Sequence, residues 1–186
     1  MLTSYEKLLL KIARDAIAGQ LSGRQIIDRE EILSRYPELK QPGAVFVTLN
    51  KNHRLRGCIG SIEPYRSLLD DIIGNARSAA FGDPRFNTLK ADELDDISIE
   101  ISILSKPEPV SYHSVEELKT IIRPMVDGVI LSQGFNRAVF LPQVWEQLPD
   151  FDTFFEHLCK KARLSGNCLY DHPSIERFRV TIIEEE

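Results

Sequence analysis

The feature that most restricts the fold is the octapeptide Ile97-Ser98-Ile99-Glu100-Ile101-Ser102-Ile103-Leu104, in which isoleucines alternate with serine or glutamate. Side chains on a β-strand point to opposite faces with a period of two, so this segment predicts a strand with one face in a core and the serine and glutamate face toward solvent. Strands of a parallel sheet covered on both sides read instead as continuous apolar runs. Residues 44–49 and a run beginning at Leu55 flank Asn50-Lys51-Asn52-His53, and residues 129–131 and 138–141 flank a turn-rich segment, so both pairs read as hairpins. Residues 177–182 alternate again and predict a terminal strand with Phe178, Val180 and Ile182 on one side. Hairpins outnumber strand-helix-strand crossovers. The chain is therefore expected to be α+β, mainly antiparallel sheet packed by helices, rather than a doubly wound parallel sheet.

Helices are marked by their caps. Thr3 and Glu6 form a capping-box pattern ahead of Leu8, Leu9, Ile12, Ala13, Ala16 and Ile17, with Gly19 as the expected end. Asp28 and Glu31 repeat the pattern before Pro37, and Ser114 with Glu117 precedes Val115, Leu118, Ile121 and Ile122. Glu63-Pro64 is expected to start a helix that buries Leu68, Leu69, Ile72, Ile73, Ala76, Ala79 and Ala80 and stops at Gly82-Asp83-Pro84. Phe151, Phe154, Phe155, Leu158, Cys159 and Ala162 have helical spacing, and the later Lys160, Lys161 and Arg163 suit the negative end of the helix dipole. No repeat, low-complexity tract or long linker divides the chain, so residues 1–186 are expected to form one domain.

Composition excludes several classes. A chain of 186 residues, 42% hydrophobic and 27% charged, can bury a core without disulfides or a structural metal. Its apolar runs fall far short of the roughly 20 residues that cross a bilayer, and Met1-Leu2-Thr3-Ser4-Tyr5-Glu6-Lys7 does not read as a secretory signal, so a cytoplasmic protein without membrane partners is expected. A net charge of −5 opposes nucleic-acid binding, for which only the local cluster Lys51, His53, Arg54 and Arg56 argues. The three cysteines, Cys58, Cys159 and Cys168, form no C-x-x-C pair and read as free thiols of a reducing compartment.

Chemistry concentrates in Leu55-Arg56-Gly57-Cys58-Ile59-Gly60, which places a cation, a thiol and two glycines within six residues. The glycines would let backbone approach a ligand, and in a regular strand Arg56 and Cys58 share a face, where the guanidinium would favour the nucleophilic thiolate. The opposing reading makes Cys58 a small buried hydrophobe. His53, on the preceding turn, is the candidate base, although turn histidines are usually solvated. Arg85, in Asp83-Pro84-Arg85-Phe86, could meet the segment if the helix before it folds back. His157 and Cys159, two apart on a helix, diverge, and His113, Cys168 and His172 show no ligand spacing, so no metal site is expected. No G-x-S-x-G or phosphate-loop motif occurs, and the sequence leaves the cofactor unknown.

The same hexapeptide resembles the signature of the AMMECR domain family, known in prokaryotes as protein A of AmmeMemoRadiSam systems. The resemblance extends through Gly43-Ala44-Val45-Phe46-Val47-Thr48-Leu49, Asp83-Pro84-Arg85-Phe86, the octapeptide at 97–104, Phe140-Leu141-Pro142-Gln143-Val144 and His157-Leu158-Cys159-Lys160-Lys161-Ala162, in the family's order. It implies an α+β fold with two unequal lobes, association with a Memo-like protein and a radical SAM enzyme, and weight on Arg56, Gly57, Cys58 and Gly60. It implies no settled activity. Two functions are therefore expected to compete. One is an accessory module binding a ligand or partner through Arg56, Gly57, Cys58, Gly60 and Arg85. The other is a thiol-dependent enzyme with Cys58 as nucleophile, Arg56 as orienting cation and His53 as base.

Overall fold

The structure, a computed structural model, describes residues 1–185. In chain order the elements are α1 (Ser4–Ser22), α2 (Arg29–Arg35), β1 (Pro42–Lys51), β2 (Arg54–Gly60), β3 (Arg66–Ser67), α3 (Leu68–Phe81), β4 (Ile97–Leu104), β5 (Glu108–Val110), α4 (Val115–Ile121), β6 (Gly128–Gln133), β7 (Asn136–Phe140), α5 (Val144–Gln147), α6 (Phe151–Lys161), β8 (Ser174–Phe178) and β9 (Val180–Glu184). They fall into two compact units. The first comprises Met1–Leu104 with the residues from Thr181 on, and the second Ser105–Val180. The fold is α+β with antiparallel sheet, as expected.

In the first unit the strand order is β2-β1-β4-β9, with the short β3 also paired to β1. One sheet face carries Val45, Val47 and Leu49 of β1 and Ile97, Ile99 and Ile101 of β4, all buried. Against it pack Leu9, Ile12, Ala13 and Ala16 of α1 and Leu69, Ile72, Ala76 and Ala79 of α3. The alternation at 97–104 thus does what its period requires. Its other face is less wet than expected, however. Ser98 is exposed but Glu100 is half-buried and Ser102 is buried.

Local chemistry places most helix ends. Thr3 accepts from the Glu6 amide at 3.1 Å while Glu6 accepts from the Thr3 amide at 2.7 Å, the reciprocal cap read from sequence. The helix runs past Gly19, because Gly23 takes the left-handed conformation that returns its N–H to the Gly19 carbonyl. Glu63-Pro64 does not begin α3. Residues 66–67 are instead held extended by pairing with Pro42 and Gly43, and the Ser67 hydroxyl then caps the Asp70 amide at 3.1 Å.

The second unit contains the sheet β5-β8-β6-β7 and its own core, in which Trp145 stacks on Phe154 at 3.5 Å between ring centroids and Phe155, Leu158, Val129 and Leu131 are buried. The terminal alternation proves to be two strands. β8 belongs to this sheet and β9 to the other, and the phase breaks at Arg179. Phe178 is consequently buried while Ile182 is exposed and Ile183 takes the core position.

The expectation of three free thiols is also overturned, since Cys159 and Cys168 are joined in a disulfide. After α6 the chain reverses, with Arg163 at φ 61° and the Leu164 N–H donating to the Cys159 carbonyl. That reversal brings two cysteines nine residues apart to a Cα separation of 5.9 Å, within the span such a bond bridges. Among the described residues no helix is long and apolar enough to cross a membrane. Replacing Cys159 by serine is expected to cost about 2–4 kcal/mol of unfolding free energy, the usual worth of a cross-link in a small unit. Urea denaturation measures this, and titration of the denatured, unreduced protein should find one reactive thiol rather than three.

Candidate functional site

The signature occupies β2, the edge strand of the first sheet. Asn52 and His53, with φ of 52° and 58°, form the two-residue turn that returns β1 into β2. Positive φ at both positions matches the twist of a tight hairpin, and asparagine tolerates it well. The register then slips. Leu49 faces Gly57 while Asn50 faces Leu55, leaving Arg56 as the extra residue of a bulge. Bulges re-aim side chains, and this one breaks the regular alternation that would have placed Arg56 beside Cys58.

The glycines serve packing. A Cβ at Gly57 would lie 2.2 Å from the Ala79 carbonyl oxygen of α3, and one at Gly60 would lie 2.2 Å from the Phe46 ring. Neither has positive φ, so close approach of helix and ring, rather than of a ligand, explains both. Beyond Gly60, Ser61 joins a buried network. Asp71 of α3 accepts from the Val45 amide at 2.8 Å, the Ser61 hydroxyl at 2.7 Å and the Arg66 guanidinium at 2.7 Å, and Asn75 donates to the Val45 carbonyl at 3.0 Å. Asp71 and Asn75, four apart within the apolar stripe of α3, escaped the sequence reading, although polar residues at that spacing on a buried face are a visible signal.

Cys58 is half-buried and its thiol is free. Thr48, its cross-strand neighbour, donates its hydroxyl to the sulfur at 3.3 Å. On the open side of the strand, Asp83 accepts from the Cys58 amide at 2.9 Å, and Arg85 donates to the Cys58 carbonyl at 3.3 Å. Asp83 and Arg85 are themselves paired at 2.7 Å. Arg85 above all, then the Cys58 and Arg85 amides, hold the buried Asp83 carboxyl far below the usual carboxylate range against the opposing effect of burial. The cation beside Cys58 is therefore Arg85, which comes from the segment after α3 as the folding-back argument required.

Arg56 is bound elsewhere, by Glu93. Its Nε and Nη2 donate to Glu93 at 3.1 and 3.0 Å, and Lys51 meets the same carboxylate at 3.3 Å. The Arg56 hydrogen bonds, with smaller help from the Lys90 amide and Lys51, lower Glu93 to about 2 from its ordinary 4.5. Arg56 and Arg85 come together in a different sense, as walls of one open groove of about 620 Å³ lined also by Lys51, Phe86, Lys90 and Asp92. His53 is exposed on the turn. It lies five residues from Cys58 along the strand, on the order of 16 Å at the usual rise, so it is not placed to take the thiol's proton. Lys51 and Arg56 are committed to Glu93, so the local basic cluster does not present four free cations. Among the described residues no three histidine, cysteine or carboxylate side chains gather to hold a metal.

An antiparallel edge strand carrying L-R-G-C-I-G, closed from outside by the aspartate and arginine of D-P-R-F, defines an α+β protein of the AMMECR type. The chain belongs to the AMMECR1 family, whose model matches residues 10–183. A protein of Methanothermobacter thermautotrophicus is 42% identical over 183 residues, covering 97% of this chain and 94% of its own. One from Saccharolobus solfataricus is 38% identical and covers 96% of this chain and 81% of its own. The crystal structure of an uncharacterized Pyrococcus horikoshii protein superposes with a TM-score of 0.83 at 32% identity, covering all of this chain and 94% of that one.

Glu93 yields a pH prediction. A carboxyl lowered in the folded state contributes stability that is fully present above its unfolded value and is lost as pH falls through the folded value, here the interval from 4.5 down to about 2. The stability difference between the native chain and Glu93→Gln should shrink steadily across that interval. Urea midpoints at successive pH values test it, and a difference that stays constant would show that the ion pair contributes nothing.

Proposed function

We propose that this chain is an accessory binding module that offers the groove beside its signature to a ligand or partner, acting with a Memo-like protein and a radical SAM enzyme. One observation carries the reading: Arg56 and Arg85 arrive from separate segments on the wall of one open polar groove, while the signature's glycines are occupied in packing. The partners come from the family resemblance. Among the described residues, the side chains hydrogen-bonded at Cys58 are Thr48, Asp83 and Arg85, and the one carboxylate of these is already engaged by the Cys58 amide and Arg85, which favours recognition over catalysis. The test is capture of the two partner proteins by the purified chain under reducing conditions. Binding that falls at least tenfold in Arg85→Glu supports the reading, and no binding to either partner by calorimetry removes it.

A second reading, a thiol-dependent enzyme, has its own support. Cys58 is a free, half-buried thiol that receives a hydroxyl hydrogen bond from Thr48 and stands next to the Arg85 cation. The Thr48 hydroxyl orients the sulfur, and Arg85 is held at the carbonyl of the same residue, where it could meet an anionic substrate group. On this reading iodoacetamide should label Cys58 at pH 7 at least tenfold faster than it labels glutathione, and Arg85→Ala should slow that labelling. A Cys58 slower than glutathione rules the enzyme out.

A further inference from the structure

We infer that β9 is the surface through which two copies of this chain associate, pairing antiparallel about Ile182 so that the first sheets of the two copies run on into one.

Four strands end the two sheets, and three of them are closed. The Cys58 amide and carbonyl of β2 are taken by Asp83 and Arg85. β7 receives the Lys161 ammonium at its Val139 carbonyl, at 2.8 Å. β5 has only three residues, and Pro109 at its centre has no N–H to offer. Among the described residues β9 has no such closure. The Arg179 carbonyl accepts from the Ser105 amide and the Glu185 amide donates to the Ile99 carbonyl, which sets β9 antiparallel to β4 and turns the backbone groups of Thr181 and Ile183 toward it as well. The N–H and C=O groups of Val180, Ile182 and Glu184 therefore face away from β4, and no other described strand takes them up. Thr181, Ile182 and Glu184 are exposed, Ile182 by 50%. An edge in this state is a template for a further strand.

Charge along the strand decides the occupant. Arg179 precedes β9, and Glu184 and Glu185 end it. Arg179 is exposed and has no carboxylate partner among the described residues. A second β9 paired about Ile182 sets Ile182 against Ile182, Val180 against Glu184 and Arg179 against Glu185. The unpaired cation of each copy then meets the acidic end of the other. Glu185 already binds Arg14 of its own copy, and a carboxylate has lone pairs for a second cation. The two Glu184 residues stay about 14 Å apart along the strands, beyond the screening length of about 8 Å in physiological salt. A parallel pairing would instead set Glu184 against Glu184 at one strand spacing, about 4.8 Å. The two-fold pairing also closes. The joined sheet ends in β2 on both sides, already capped by Asp83 and Arg85, so assembly stops at two copies.

Sedimentation equilibrium of the full chain from about 1 μM to about 1 mM, the span suited to so small an interface, should show reversible dimers. Ile182→Pro removes one outward N–H and spares the bonds to β4, so circular dichroism should stay native while dimerisation weakens at least tenfold. Arg179→Glu should weaken it at least threefold at low salt. Should Ile182→Pro not fold, Arg179→Glu decides together with hydrogen exchange of the Ile182 amide, which slows as protein concentration rises if dimers use this edge. A chain that stays monomeric throughout, dimers that neither variant weakens, or an Ile182 amide whose exchange ignores concentration overturns the inference.

Discussion

The site depends on how the outer edge of β2 is closed. An edge strand presents backbone donors and acceptors to solvent, and each invites either water or another strand. At Cys58 both are taken by side chains of one short segment, the amide by Asp83 and the carbonyl by Arg85. The two caps are an ion pair as well, so each holds the other in position. Asp83 is buried, and a buried carboxylate is tolerable only when fully hydrogen-bonded. It accepts from the Cys58 amide and from the amide and guanidinium of Arg85. The D-P-R-F segment is thus a side-chain substitute for a missing neighbouring strand, and it blocks strand addition at the position where the thiol sits.

That closure requires α3 to lie unusually close to β2. Asp83 follows directly after the helix, and the helix can approach only because position 57 has no side chain to meet the Ala79 carbonyl. A glycine that looks made for a ligand is, in the folded chain, what allows the helix to deliver the carboxylate. The bulge completes the arrangement by freeing Arg56 from the regular register, so that it leaves the strand toward Glu93 instead of toward the thiol. Two cations that compete for one sulfur in a regular strand are thereby divided. Arg85 accompanies Cys58, and Arg56 walls the groove.

Legibility in the sequence followed the range of the interaction. The Thr3–Glu6 capping box, the one-way caps at Asp28 and Ser114, the isoleucine alternation and both hairpins depend on neighbours a few residues away, and all are visible in the chain as written. The start of α3 was misjudged because the pairing of Arg66 and Ser67 with Pro42 and Gly43 spans more than twenty residues. The break between β8 and β9 is invisible to periodicity, since Phe178, Val180 and Ile182 keep the alternation while the strand changes sheets at Arg179. The Cys159–Cys168 bond was missed because helical spacing explained Cys159 as core, and the left-handed Arg163 that turns the chain back has no strong local signal. At the site, the residue types were found and their pairing was not, because one extra residue in β2 reverses the partner that simple alternation assigns to Arg56.

The same geometry separates what holds the signature from what remains available to act. The backbone of Cys58 is closed by Asp83 and Arg85, Gly57 and Gly60 are filled against by α3 and Phe46, and Ser61 is bound to Asp71 and Asn75. Two groups are left with capacity unused, the half-buried thiol and the third nitrogen of the Arg56 guanidinium. Among the described residues hydrogen-bonded at Cys58 the only carboxylate is already engaged by Arg85, whereas the guanidinium nitrogen is enclosed and without an acceptor. A thiol without a free base needs another molecule to take its proton before it can turn over, while recognition needs only the side chains that already line the groove. Recognition therefore asks less of this surface than catalysis does, and that asymmetry is the physical reason for placing binding first.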